Sequence, residues 1–420
     1  MNIFSIGSSQ ANFLKELYGQ ISSSSNGKFI FTLSGEKKFS DNIKYTGDDL
    51  VKSRLIEKEI PKNTISTWKL FLILITNTQV LTSSIPLREE IAFLFFKKRL
   101  SVKGILYGLK AILLDRYIGN KYIRPLFKDY QIVHVHFLML NNIKYAWYIP
   151  STTKVICTFW GSDVLRTSGV ENQFYIAKLL KRADTITSQS LEMREFILAK
   201  YGRIFRDKFK KAMFALPDTV FEIIDSNLDI KKVRVKFCKK LGLSIDKKTI
   251  VIGHNGSKFN NHIEIFESLL YSKDFDVSNY NILFPFTYLP DGPKTKTELA
   301  SIVDNHSNCF ILEEYMSWQE LGEFRMSTDF YIHTPQSDAM SGALTEMIYA
   351  GAVPIVGSWL PYHNYDRFGI ELLRIDNFKE IPDVILKDNA PQNDARKIIN
   401  NHLRGPAITN NWIKIYSSLA

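Results

Sequence analysis

Residues 330–357 read as strand, polar loop, helix and strand in immediate succession, and that order commits the surrounding chain to a βαβ unit. Phe330 to His333 is apolar enough for a strand, and the loop after it carries Asp338. The small-residue turn Ser341-Gly342-Ala343 opens a helix that carries Glu346 and stops at Gly351, and Val353 to Val356 follows as a buried strand. A helix N-terminus offers unpaired backbone N–H groups and the positive end of a dipole to a diphosphate. Gly342 and Ala343 lack bulk, which lets phosphates approach the backbone. Asp338 ahead of the turn and Glu346 about a helical turn into it are acceptors for sugar hydroxyls on either side of that diphosphate. The plain alternative is an ordinary βαβ unit whose loop happens to be acidic.

A chain of 420 residues is too long for one typical core and points to two domains. Its 45% hydrophobic and 23% charged residues describe a soluble globular protein. No stretch reaches the roughly 18–20 apolar residues that span a bilayer. The longest apolar run, Leu70 to Ile75, reads as a core element, and Met1-Asn2-Ile3-Phe4 lacks the basic start of a secretory signal. Cys157, Cys238 and Cys309 are odd in number and without metal spacing, so they read as reduced thiols of a cytoplasmic protein.

The net charge of +11 is concentrated in segments 88–128 and 208–240. In the first, Lys97, Lys98, Arg99, Lys103, Lys110 and Arg116 alternate with Phe93, Phe95, Phe96, Leu106 and Leu109. A basic amphipathic helix of this kind suits an anionic membrane surface, and it equally suits a domain helix with solvated lysines outside. No nucleic-acid-binding pattern accompanies the charge, so nucleic acid is not expected as a partner.

Strands and helices alternate along the chain, which predicts an α/β architecture. The first series runs from the strand Asn2 to Gly7 to the helix Leu191 to Lys200; Ser22 to Ser25 reads as a loop and 41–130 as helix-rich and basic. After Ala215-Leu216-Pro217-Asp218 the chain turns polar and less periodic, and a second series starts at Thr249 to Gly253. Two doubly wound, Rossmann-like halves are expected, 1–216 and 217–405, with a helix over 406–420 that can pack back on the first half.

The spacing Asp338-x7-Glu346 followed by Ala350-Gly351-x-x-Pro354 resembles the acidic signature of the retaining GT-B glycosyltransferases of family four. The N-terminal half adds to it. Ile132-Val133-His134-Val135-His136-Phe137, Cys157-Thr158-Phe159-Trp160-Gly161-Ser162-Asp163, Arg182-Ala183-Asp184 with Thr187-Ser188, and Pro217-Asp218 are similar to that family's segments, in its order. The resemblance implies a GT-B fold, two such domains facing a cleft, with Asp338 on the transferred sugar and Glu346 on the nucleotide ribose. Where the family usually has Glu and His, this chain has Asp338 and Trp160; the indole offers a stacking face in place of an imidazole. Asp163 is an acceptor-hydroxyl contact in this reading and an N-cap in the plain one. His134 and His136 share one face of a strand, and His136 lies nearer the carboxyl end, where a cleft opens.

Gly253-His254-Asn255-Gly256-Ser257-Lys258-Phe259-Asn260-Asn261-His262 follows a strand and precedes a helix, so Gly256 and Ser257 are candidates to cradle phosphate and Lys258 to oppose its charge. The family's Lys carries over at Lys258, whereas its Arg is replaced by His254. This loop, with Phe284-Pro285-Phe286-Thr287-Tyr288, is also similar to the inverting 4-acetamido-4,6-dideoxygalactose transferases, in which reading Asn261 and His262 are donor-site candidates.

The resemblance therefore implies a hexosyltransferase without a bound metal or cofactor, taking a nucleotide-sugar as donor substrate and a lipid-linked glycan as acceptor. It further implies bacterial surface polysaccharide or lipopolysaccharide synthesis, at a cytoplasmic site peripheral to the inner membrane, with retention favoured by the acidic pair. Catalytic candidates are Asp338, Lys258, Asp163 and His136; donor-binding candidates are Gly256, Ser257, Lys258, Ser341, Gly342, Ala343 and Glu346. The competing reading is a non-catalytic homologue that binds sugar nucleotides or scaffolds a complex.

Overall fold

The short runs rich in Val, Ile and Phe are buried on both faces, the condition that favours parallel strands covered by crossover helices. The computed structural model describes residues 1–7, 12–34, 51–54, 82–97, 102–227, 229–288, 293–387 and 390–420. The run Leu70 to Ile75 and residues 98–101 of the basic segment lie outside them. Among the described residues, a seven-stranded sheet holds β1 (Asn2–Ile6), β2 (Ile30–Ser34), β3 (Val51–Arg54), β4 (Ile132–His136), β5 (Lys154–Thr158), β6 (Thr185–Ser188) and β7 (Phe209–Lys211). Its order is β3-β2-β1-β4-β5-β6-β7. A six-stranded sheet holds β8 (Lys248–Ile252), β9 (Tyr280–Pro285), β10 (Cys309–Leu312), β11 (Phe330–His333), β12 (Val353–Gly357) and β13 (Leu373–Ile375) in the order β10-β9-β8-β11-β12-β13. Every pairing in both sheets is parallel.

The chain divides into two compact units, Met1–Phe214 with Thr409–Ala420, and Ala215–Ile408. Each has its own apolar core. In the second, Ile250, Ile252, Phe266, Ile282, Phe284, Ile332 and Ile355 are fully buried between the sheet and its helices. In the first, Trp412 and Tyr416 from the helix Gly405–Ser417 are fully buried. The Trp412 indole N–H donates to the Met213 carbonyl (2.8 Å), and the Tyr416 hydroxyl meets His134 Nδ1 (2.7 Å).

Three local expectations are corrected. Ser22 to Ser24 continue the helix Asn12–Ser24 instead of looping out. The polar stretch after Asp218 forms the helices Asp218–Ser226 and Ile230–Leu241, which bury Val220, Phe221 and Ile224, and Val233, Phe237 and Cys238. In 208–240, four cations are spent internally. Lys208 donates to the carbonyls of Leu180, Lys181 and Ala183, closing the end of the helix Val170–Arg182, while Arg234, Lys236 and Lys240 pair with Asp329, Glu323 and Glu320. In 88–128, Arg116 is buried and paired with Glu90.

The buried indole gives a direct test of the terminal helix. Trp412→Ala is expected to lower the stability of the first unit by about 3–5 kcal/mol, the usual cost of emptying a large aromatic site, read as a drop in the urea midpoint.

Candidate functional site

In the six-stranded sheet the winding reverses between β8 and β11, because β9 and β10 lie to one side and β12 and β13 to the other. Loops leaving the carboxyl ends of two such neighbours part from each other, and ligands of open α/β sheets bind in the crevice they leave. Here those loops are 253–261 and 334–341. They are laced together: the Gln336 N–H donates to the Phe259 carbonyl (2.9 Å), and the Asn261 amide donates to the Thr334 carbonyl (2.7 Å). The rings of His254 and His333 lie 5.3 Å apart. The structure thus lays the loop that carries Lys258 beside the loop that carries Asp338 and Ser341, segments far apart in sequence.

Asp338 is clamped. Its Oδ2 accepts from the Tyr362 hydroxyl (2.7 Å) and faces His333 Nε2 (3.4 Å), and its Oδ1 accepts from the Ala339 N–H (2.8 Å). Burial alone would raise the acid's pKa; the hydrogen bonds to His333 and the Tyr362 hydroxyl outweigh it and hold Asp338 down at about 2. The carboxylate is therefore ionised throughout the physiological range. Glu346 lies within the helix Gly342–Ala350 and is nearly buried, with Oε2 taking Arg325 Nε (3.1 Å) and Nη2 (3.0 Å). Arg325 reaches it from the last turn of the helix Trp318–Met326, which a Ser317–Glu320 capping box starts.

Ser341 caps the helix, its hydroxyl accepting from the Leu344 N–H (3.2 Å). Gly342 has a packing reason as well: a Cβ there would stand 2.9 Å from Leu216 Cδ2. Ala343 follows at the second helical position, ahead of the hydrogen-bond ladder, where backbone N–H groups face outward.

The other loop departs from a phosphate cradle. The Gly256 N–H donates to the Tyr288 carbonyl (2.8 Å) and the Ser257 N–H to Asn255 Oδ1 (2.9 Å), so both are consumed within the turn. This corrects their expected role as backbone donors to a ligand. Lys258 is exposed, with its ammonium 5.4 Å over the Phe259 ring. Nearby, His254 Nδ1, both ring nitrogens of His262 and Thr334 Oγ1 are buried without a hydrogen-bond partner among the described residues. Burial lowers His254 and His262 to about 3, so both imidazoles are neutral and able to donate or accept.

In the seven-stranded sheet the winding reverses between β1 and β4. His136, at the end of β4, is fully buried: Nε2 meets the Tyr18 hydroxyl (2.6 Å) and Nδ1 takes the Trp160 indole N–H (3.3 Å). Burial lowers it to about 3. Gly7, at φ +81°, sits so close that a Cβ would stand 2.3 Å from the His136 carbonyl, which only glycine permits. Asp163 is also fully buried, and its two oxygens accept from the N–H groups of Leu138 (2.8 Å), Gly161 (2.9 Å) and Trp160 (3.0 Å). Neither side chain has surface to offer an acceptor. The expectation that His136 and Asp163 face a substrate is corrected: His136 belongs to a buried aromatic network and Asp163 ties the turn after β5 to the turn after β4.

Sequence reasoning missed Arg325, His333 as a partner, and Tyr362, which position the two acids. His333 was legible, being the last residue of a strand five positions from Asp338. Arg325 and Tyr362 arrive from other helices and turns and leave no local spacing to read. Among the described residues no group of three or more His, Cys, Asp and Glu is placed to hold a metal ion, and no helix is long and apolar enough to cross a membrane.

No family model and no curated protein matches the sequence. Solved structures do. A glycosyltransferase from Rickettsia africae matches with a TM-score of 0.66 at 12% identity, covering 100% of this chain and 98% of the other. Anabaena Alr3699/HepE, solved in complex with UDP and glucose, matches at 0.64 and 10% identity over 99% of both chains. The sucrose-phosphate synthase of Thermosynechococcus elongatus matches at 0.63 and 10% identity over 100% and 98%. These likenesses establish the fold: an α/β protein of the GT-B class, built from two doubly wound units.

The contrast between the acids yields a pH prediction. Burial raises Asp163 to about 6 against the pull of its backbone N–H partners. The folded state then holds a proton that the unfolded chain has already lost between about pH 4 and 6, so stability falls as pH rises through that window, by about 3 kcal/mol in all. Asp163→Asn removes the slope and costs about 1.5–3 kcal/mol at neutral pH, because its amide must face a backbone N–H. Urea midpoints of both proteins between pH 4 and 7 check this.

Proposed function

We propose that this protein is a glycosyltransferase that draws a sugar from a nucleotide-sugar held by the second unit. The observation that carries the reading is the laced pair of loops at the β8/β11 reversal, which offers two fixed carboxylates and a helix N-terminus in one place. Asp338, ionised and clamped, accepts from hydroxyls of the transferred sugar. Glu346, fixed by Arg325 through one oxygen, accepts from the ribose through the other. The N-terminal turn Ser341-Gly342-Ala343 and Lys258 face the diphosphate. As the glycosidic bond breaks, negative charge gathers on the departing diphosphate, so these groups stabilise the transition state more than the ground state. His254 Nδ1 and Thr334 Oγ1 add neutral hydrogen-bonding capacity where the family pattern has a guanidinium.

UDP-sugars are the first donors to test, because the Anabaena neighbour is solved with UDP and with UDP-glucose. The acceptor we assign to the first unit, as a lipid-linked glycan of a bacterial surface polysaccharide. Exposed Phe95, Phe96, Leu106 and Tyr107 in the helices Leu87–Lys97 and Val102–Ile118 support contact with an anionic membrane face by segment 88–128. Segment 208–240 contributes less, its paired cations being already neutralised. Retention is the stereochemistry the acidic pair favours.

A thermal-shift series against UDP-, GDP-, dTDP- and CMP-sugars tests the donor site. At a hundredfold excess over Kd a bound donor is worth about 2.7 kcal/mol, and the rise in Tm is expected to vanish in Glu346→Gln. Lys258→Ala is expected to lower kcat by about tenfold or more, the loss of a transition-state contact worth about 1.4 kcal/mol. No shift with any donor would leave the scaffold reading in its place.

A further inference from the structure

The first unit contains a cavity that none of the expected site residues enters. It has a volume of about 310 Å³ and is walled by the helix Val102–Ile118, by the π-type turn Gly119–Ile123 into which that helix widens, and by the segment Leu140–Tyr148. That last segment leaves the carboxyl end of β4, one of the two strands at this sheet's reversal. The size is at the low end of small-molecule pockets, roughly 300–1,000 Å³, and suits one ring-sized ligand.

Its floor is preformed. Glu90 Oε2 takes Arg116 Nε (2.9 Å), Arg116 Nη2 also donates to the Ile85 carbonyl (2.7 Å), and Glu90 Oε1 accepts from the Tyr175 hydroxyl (3.3 Å). Tyr148 donates to the Asp115 carbonyl (2.8 Å), and its ring lies on Gly119, where a Cβ would come within 2.0 Å of it. Trp147 and Tyr175 lie with ring centroids 5.8 Å apart. Toward the mouth stand Asp115, Asn141, Lys144, Tyr145 and Glu171, of mixed charge.

We propose that this cavity binds a single saccharide ring. The ion pair in the floor is internally neutralised, and the mouth carries carboxylates and an ammonium together, so no one sign of charged ligand is favoured. Aromatic faces beside hydrogen-bond acceptors match an uncharged ring that has apolar C–H faces and a rim of hydroxyls. A fully apolar ligand would desolvate Asn141 and Asp115 at the mouth without replacing the hydrogen bonds they make to solvent, and an anion would meet the carboxylates of Glu171 and Asp115. The role of the bound ring, as the acceptor's terminal sugar, rests on the transfer reading; the binding itself does not.

The test uses saturation-transfer NMR of the full chain with the methyl glycosides of glucose, galactose, mannose and N-acetylglucosamine, without nucleotide. At least one glycoside is expected to receive saturation, reduced by about tenfold in Glu171→Gln/Tyr145→Ala, the size of one lost hydrogen bond to a charged acceptor with one lost ring face. Both positions lie at the mouth, outside the buried floor, and circular dichroism checks that the double variant is folded; Asn141→Ala serves as a second probe if it is not. Glu346→Gln in the second unit is expected to keep the full signal. Saturation of no glycoside, or saturation undiminished in the mouth variants, overturns the proposal. A glycoside signal without any nucleotide-sugar shift would sink the transfer reading and leave the cavity standing.

Discussion

Parallel pairing governs this molecule. A strand that runs alongside its predecessor in the same direction is reached only by crossing back over the sheet, so every loop that leaves a carboxyl end gathers along one edge. Both sheets obey this without exception among their described pairings. Where the winding reverses, between β1 and β4 and between β8 and β11, two neighbouring loops depart toward opposite sides. The candidate donor residues of the second unit lie at the β8/β11 reversal, where the backbone leaves room. The lacing of Phe259 to Gln336 and Asn261 to Thr334 then turns two loops into one fixed rim.

The βαβ rhythm was legible because its signals are local: apolar runs four to six long, a small-residue turn before a helix, a glycine after it. Asp338 and Glu346 were legible for the same reason. What holds them was not. Tyr362 and Arg325 reach the acids through folding, and no spacing along the chain announces a contact between helices. The helices after Asp218 had a readable signal in Val220, Phe221 and Ile224, and again in Val233, Phe237 and Cys238, one side of a helical period. The surrounding lysines masked it. Lys236 and Lys240 answer acids on another helix, a pairing that a charge count cannot show.

Asp163 and Asp338 show why burial alone does not decide a carboxylate's role. Asp163 is fully buried, and Asp338 keeps 28% of its side-chain surface in solvent. Asp163 receives only the dipoles of backbone N–H groups, and burial wins, so its pKa rises. Asp338 faces an imidazole and a phenol hydroxyl, and their combined effect exceeds the cost of burial. The first arrangement fastens one turn to another. The second keeps a charge in place at a rim, which costs stability unless a ligand or neighbouring groups make use of it.

Charge compensation also limits the proposed binding of a diphosphate by the second unit. Arg325 is nearly buried and both of its contacting nitrogens are given to one oxygen of Glu346, so its charge is compensated before any ligand arrives. His254 and His262 are neutral. Among the described residues, Lys258 is exposed on this rim and the helix Gly342–Ala350 starts there. In the proposed transfer, such a rim gains most as charge increases on bond breaking, since a helix dipole responds to added charge without rearrangement.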